Sequence, residues 1–110
     1  MIAGEIEKIS ADEFMERIVV NKVDALVKIS TAWNGASQMV SRTLQSLALQ
    51  YTEVGFFTID YEPESLLSVT YQVETEPTIL FFKKGTLVDK ISGLAHRTTI
   101  SHKINQLINS

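Results

Sequence analysis

Few side chains in this sequence could carry chemistry, and their types narrow it at once. The chain has 110 residues and no cysteine, which removes disulfides, thiolate nucleophiles and thiolate metal ligands together. Its two histidines, His96 and His102, are the only side chains that titrate near neutrality when unperturbed. They supply too few soft ligands for a zinc site, so no metal and no cofactor is expected, and both read as ordinary surface residues. Three groups are left: Ser37, Lys28 and Tyr71. A serine hydroxyl attacks only when a base activates it, and no histidine lies near Ser37 in the sequence. Lys28 interrupts an otherwise apolar run, Ala25-Leu26-Val27-Lys28-Ile29. A lysine buried there must be paired, reach the edge, or give up its proton more easily. Asp60, Glu76 and Tyr71 are its conceivable partners.

The elements that must position these groups follow from periodicity. A loosely alternating stretch from Ile2 to Ile9 reads as a short first strand or arm. Ser10-Ala11-Asp12-Glu13 is a capping-box pattern, opening a helix with Phe14, Ile18 and Val19 on one face and an end near Asn21. The run Ala25 to Ile29 suits a central strand covered on both faces. A turn at residues 32–37 leads into a helix whose Val40, Leu44, Leu47, Ala48 and Tyr51 fall on one stripe, with Met39 expected in the core. Phe56-Phe57-Thr58-Ile59-Asp60 is a second buried strand. Pro63 suits the first turn of a short helix with Leu66, Leu67 and Val69 facing inward. Thr78 to Phe82 is a third apolar strand, Lys83-Lys84-Gly85-Thr86 a hairpin turn, and Leu87 to Ser92 the return strand, with Gly93 as a break or bulge. Ile100, Ile104, Leu107 and Ile108 mark a last amphipathic helix. The order βαβαβαββα implies parallel pairs with right-handed crossovers, an antiparallel hairpin at one edge, and helices on both faces.

Length and composition allow a single domain spanning residues 1–110. A chain of this size buries roughly 60–70% of its unfolded surface, and 45% hydrophobic residues suffice for a core. The net charge is −3 and there is no Lys/Arg run, which argues against nucleic acid or an anionic membrane as partner. No apolar run approaches the ~20 residues of a membrane span. The first residues lack the basic start and apolar middle of a signal peptide, so a cytoplasmic location is expected.

Beyond this pattern, the sequence resembles the thioredoxin family. Trp33-Asn34-Gly35-Ala36-Ser37-Gln38-Met39 is similar to that family's active-site turn, Trp-Cys-Gly-Pro-Cys-Lys-Met. Phe57-Thr58-Ile59-Asp60 with Pro63 resembles its third strand and exit. Tyr71-Gln72-Val73-Glu74-Thr75-Glu76-Pro77-Thr78 resembles its Tyr-Gly-Ile-x-x-x-Pro-Thr segment, and Phe81-Phe82-Lys83-Lys84-Gly85 its hairpin. Gly93 matches the glycine closing the last strand. The likeness runs in register from about Ala25 to Ile108. It implies a three-layer α/β fold with a central mixed sheet of four to five strands and about four flanking helices. It also implies a cis peptide bond before Pro77.

The departures bear on function. The resemblance puts Asn34 and Ser37 at the two cysteine positions and Ala36 at the proline position. Lys28 stands where the family has a buried aspartate, and Phe56 where it has the lysine paired with that aspartate. Thiol–disulfide exchange needs an attacking thiolate, so a redox-inactive domain and no oxidoreductase activity are expected. In the family, the loop before the cis-proline offers backbone groups to an extended peptide. Trp33, Thr75, Glu76 and Pro77 would then form a groove for a protein or peptide partner, provided Trp33 is a contact rather than a packing residue and Pro77 does more than shape the fold. Asn34 is a good N-cap with Ser37 three residues on, and the same helix start could instead capture an anion. Two alternatives stay open: a thiol-independent enzyme using Ser37 or Lys28, and a structural subunit binding through another face.

Overall fold

The computed structural model describes residues 5–31 and 35–110. Five strands, β1 (Ile6–Lys8), β2 (Ala25–Ser30), β3 (Gly55–Asp60), β4 (Thr78–Lys83) and β5 (Thr86–Ser92), form one sheet in the order β1-β3-β2-β4-β5. β3 pairs in parallel with β1 and β2, while β4 runs antiparallel to both β2 and β5. Four helices are laid against it: α1 (Ala11–Phe14), which continues as a π-helical stretch Met15–Val20, then α2 (Gly35–Gln50), α3 (Leu66–Thr70) and α4 (Arg97–Ile108). This is the three-layer mixed α/β sandwich expected from the order of apolar runs.

Each boundary has a local cause. Ser10 Oγ accepts from the Glu13 amide and Glu13 returns the bond to the Ser10 amide, both at 3.1 Å, completing the capping box. The β4–β5 hairpin turns on Lys84 and Gly85, with φ of 51° and 82°, the left-handed pair that a two-residue hairpin requires. Gly85 is held there further by proximity: a Cβ would lie 2.7 Å from the Val19 carbonyl oxygen. Gly93 is the break that ends β5, at a φ of 89° and with its amide donating to the Pro77 carbonyl at 2.7 Å, while the sheet's irregularity falls between Phe81 and Phe82.

The sheet separates two cores. On one face α2 and α4 cover Leu26, Phe56, Ile79 and Phe81. On the other, α1 with its π-helical extension and α3 cover Ala25, Val27, Ile29, Phe57, Leu80 and Phe82. There the rings of Phe14, Tyr71 and Phe82 meet edge to face, with centroids 5.3–5.7 Å apart.

Two expectations about burial are corrected. Met39 is 58% exposed. It lies on the far side of α2 from the buried stripe Ser37, Val40, Leu44, Leu47 and Ala48, since two residues from Ser37 is more than half a turn. Leu66 and Val69 are 83% and 65% exposed. α3 does not start at Pro63; Ser65 caps it by accepting from the Ser68 amide at 3.2 Å. In so short a helix only Leu67 and Ser68 turn inward, and Val73, just beyond it, supplies the packing.

Candidate functional site

The expected site residues gather at the carboxyl end of β2, where the chain leaves the sheet for α2. Trp33 and Asn34 lie outside the described residues. Gly35 is exposed, Ala36 half-buried, and Ser37, the third residue of α2, buried. Facing them is the loop entering β4. Thr75 is exposed, Glu76 half-buried and Pro77 buried, and the Glu76–Pro77 peptide bond is cis. A side-chain hydrogen bond ties the two segments: Thr31 Oγ1 donates to Glu76 Oε1 at 2.8 Å. Thr78 Oγ1 donates to the Thr75 carbonyl at 2.7 Å, which fixes the loop from the strand side.

Lys28 sits on the α2 face of β2, in register with Thr58 of β3 and Ile79 of β4, and is only 8% exposed. Its Nζ donates to Ser41 Oγ of α2 at 2.5 Å. Burial pushes the ammonium below the ordinary lysine range, and the charge of Asp60 partly offsets this. Of the three expected partners, Asp60 acts only through its field, because its carboxylate pairs with Lys8 at 3.2 Å. Glu76 is engaged by Thr31. Tyr71 belongs to the opposite core, across the sheet from Lys28. Burial raises the Tyr71 phenol above its usual range, which keeps it protonated and so unavailable as a base near neutral pH. Phe56 packs with Leu26, Ile79 and the helices α2 and α4 in the apolar core on Lys28's own face.

Lys28 opens onto a groove of about 490 Å³ whose walls include Lys8, Ser30, Ser37, Ser41, Arg42 and Asp60. No histidine lines it; His96 and His102 are exposed residues of the α4 region. Sequence reading missed Ser41, Arg42 and Lys8 as neighbours of Lys28. Ser41 follows Ser37 by four residues and so shares its helix face, a signal that was available. Lys8 could not be found this way, because only the pairing of β1 with β3 brings it there. Among the described residues no three His, Asp or Glu side chains converge as metal ligands do, and no helix is long and apolar enough to cross a membrane.

With this geometry in place, comparison with known proteins is informative. The thioredoxin family model matches residues 5–106. The chain is 23% identical over 104 residues to a thioredoxin of Pyropia yezoensis, covering 94% of this chain and 97% of that one. It is 32% identical over 83 residues to a thioredoxin of Ovis aries, covering 76% and 78%. Among solved structures it superposes on an N21Q mutant thioredoxin from Halobacterium salinarum with a TM-score of 0.85 at 22% identity, covering 97% and 94% of the two chains. Against oxidized mitochondrial thioredoxin 3 of Saccharomyces cerevisiae the TM-score is 0.80 at 27% identity, covering 93% and 95%.

Proposed function

This chain belongs to the thioredoxin family, and from that premise we propose that it is a redox-inactive member that binds a protein or peptide segment at the former active-site rim. A thioredoxin-type reaction begins with a thiolate attacking a disulfide, and this sequence has no sulfhydryl. What remains is a surface: the start of α2 at Gly35, Ala36 and Ser37 on one side, and Thr75, Glu76 and Pro77 on the other.

The observation that carries this reading is the hydrogen bond from Thr31 to Glu76. It joins the two sides of the rim by a contact that owes nothing to sulfur, so the groove walls keep their spacing in a chain without thiols. An extended segment would add to the loop at residues 75–77 through main-chain hydrogen bonds, as strand-addition modes do. Trp33 adds an aromatic contact of the kind that dominates binding energy.

The test is comparative capture. Wild-type protein and a Trp33→Ala/Glu76→Lys variant are immobilised, exposed to cell lysate, and the retained proteins identified by mass spectrometry. A protein held by the wild type and lost from the folded variant supports rim recognition. Equal retention overturns it. An insulin-disulfide reduction assay is expected to show no rate above the reductant alone; a catalysed rate refutes the redox-inactive part.

A second reading, docking through another face, has its own observation. Met15, Leu66 and Val69 are 50–83% exposed, and the first two border an apolar groove of about 270 Å³ over Phe14, Leu67 and Tyr71. Equal retention in the capture experiment favours that face. Thiol-free catalysis is the weakest reading. Ser37 is 2% exposed with no histidine lining its groove, and Tyr71 lies across the sheet.

A further inference from the structure

We propose that the groove beside Lys28 binds an oxyanion, a carboxylate or a phosphate carried by a small ligand, between the Lys28 ammonium and the Arg42 guanidinium. The first support is the state of Lys28. Nine-tenths buried, it belongs to none of the ion pairs among the described residues, which join Lys8 to Asp60, Arg17 to Glu7, Lys83 to Asp24 and Lys103 to Asp89. An ammonium has three donors, and the hydroxyl of Ser41 takes one. A buried charge without a paired counter-ion is costly, and an anion in the groove relieves that cost where the field of Asp60 offsets it only in part.

The second support is the charge balance of the walls. Lys8, Lys28 and Arg42 line the groove against one carboxylate, Asp60, and Lys8 already neutralises that carboxylate. The groove is therefore cationic on a chain whose net charge is −3. A local field of the opposite sign to the whole molecule concentrates anions at one place.

The third support is the lining. Ser30, Ser41 and Thr58 line the groove with Lys28, Ser41 Oγ in contact with the ammonium, and hydroxyl donors with a lysine and an arginine are the groups that bind oxyanions. At about 490 Å³, the space lies in the range of small-molecule sites. Burial also holds Lys28 below its ordinary ionisation range, so anion binding and Lys28 protonation must favour each other by linkage.

This site needs no protein partner, so it stands or falls separately from the rim. The experiment is NMR of lysine side-chain signals in the wild type, Lys28→Met and Arg42→Gln, titrated with inorganic phosphate and with acetate at constant ionic strength. Arg42 is exposed, so its variant keeps the fold whatever Lys28→Met does; thermal melting checks both. The expected result is a saturable shift of the Lys28 signal with at least one anion, and a rise of its ionisation toward the ordinary lysine range on saturation. Affinity falls about ten-fold in Lys28→Met, as loss of a charged hydrogen-bond partner implies, and measurably in Arg42→Gln. Response to acetate alone identifies a carboxylate ligand, and to phosphate alone a phosphorylated one. No saturable shift with either anion overturns the proposal, and so does unchanged affinity in Arg42→Gln or in a folded Lys28→Met.

Discussion

The two faces of strand β2 were built to different rules. Ala25, Val27 and Ile29 point into the core under α1 and α3, where they pack in one hydrophobic cluster with Phe14, Phe57, Leu80 and Phe82. Leu26, Lys28 and Ser30 point the other way, beginning in the apolar core under α2 and α4 and ending in a polar groove. One face specifies the fold. The other gives up apolar burial at the end where the chain leaves the sheet, at the position where family resemblance puts a buried acid. Apolar packing and a polar groove are thus carried on alternate residues of one six-residue strand, as the two-residue side-chain period permits.

Substitutions can break this contrast or sharpen it. Val27→Lys puts on the apolar face the charge that its neighbour carries on the polar one. With Val27 fully buried, the loss should be several kcal/mol, on the order of the whole stability of a small domain. Failure to fold, seen by circular dichroism, is the expected result. Phe82→Ala removes a fully buried ring from the Phe14–Tyr71–Phe82 cluster and should cost about 3–5 kcal/mol in urea unfolding.

Lys28→Met should behave in the opposite sense. Replacing a buried, weakly partnered charge by an apolar side chain should stabilise the protein by about 1 kcal/mol at neutral pH. The sign with pH follows from the depressed ionisation of Lys28. Between its folded pKa and the ordinary value of 10.5, the unfolded chain binds more protons than the folded one. Wild-type stability therefore rises with pH across that window, and the advantage of Lys28→Met should shrink there in denaturant melts. The smallest effect is expected at the surface pair Arg17–Glu7, linked by a two-pronged hydrogen bond with one arm at 2.8 Å. Glu7→Gln should cost less than about 1 kcal/mol and less still in high salt. The Arg17 hydrogen bond lowers the Glu7 pKa from 4.5. Its contribution is therefore complete above pH 4.5 and lost as pH falls through the folded value.

What was legible in the sequence follows the same division. The apolar face of β2, the capping box at Ser10 and the Lys84-Gly85 turn obey local rules, and each appears where pattern put it. Met39, Leu66 and Val69 were misplaced because hydrophobic type alone does not say which side of a helix faces the sheet, least of all in a helix as short as α3. The surroundings of Lys28 were only partly legible. Its burial was readable from the apolar run, but its hydroxyl partner Ser41 and the cation Arg42 come from α2 and the cation Lys8 from β1, two elements other than its own. The Thr31–Glu76 bond spans 45 positions, and no local pattern announces a contact made only when the strands assemble.

The most direct test of rim recognition is a footprint. Extended peptides would be selected from a random library on the immobilised wild-type domain, and the best binder titrated into isotope-labelled protein while backbone amide shifts are followed. The account predicts saturable shifts concentrated at Gly35, Ala36, Ser37, Thr75 and Glu76, abolished in the folded Trp33→Ala/Glu76→Lys variant. Shifts concentrated instead around Met15, Leu66 and Val69, and unaffected by that variant, would contradict it.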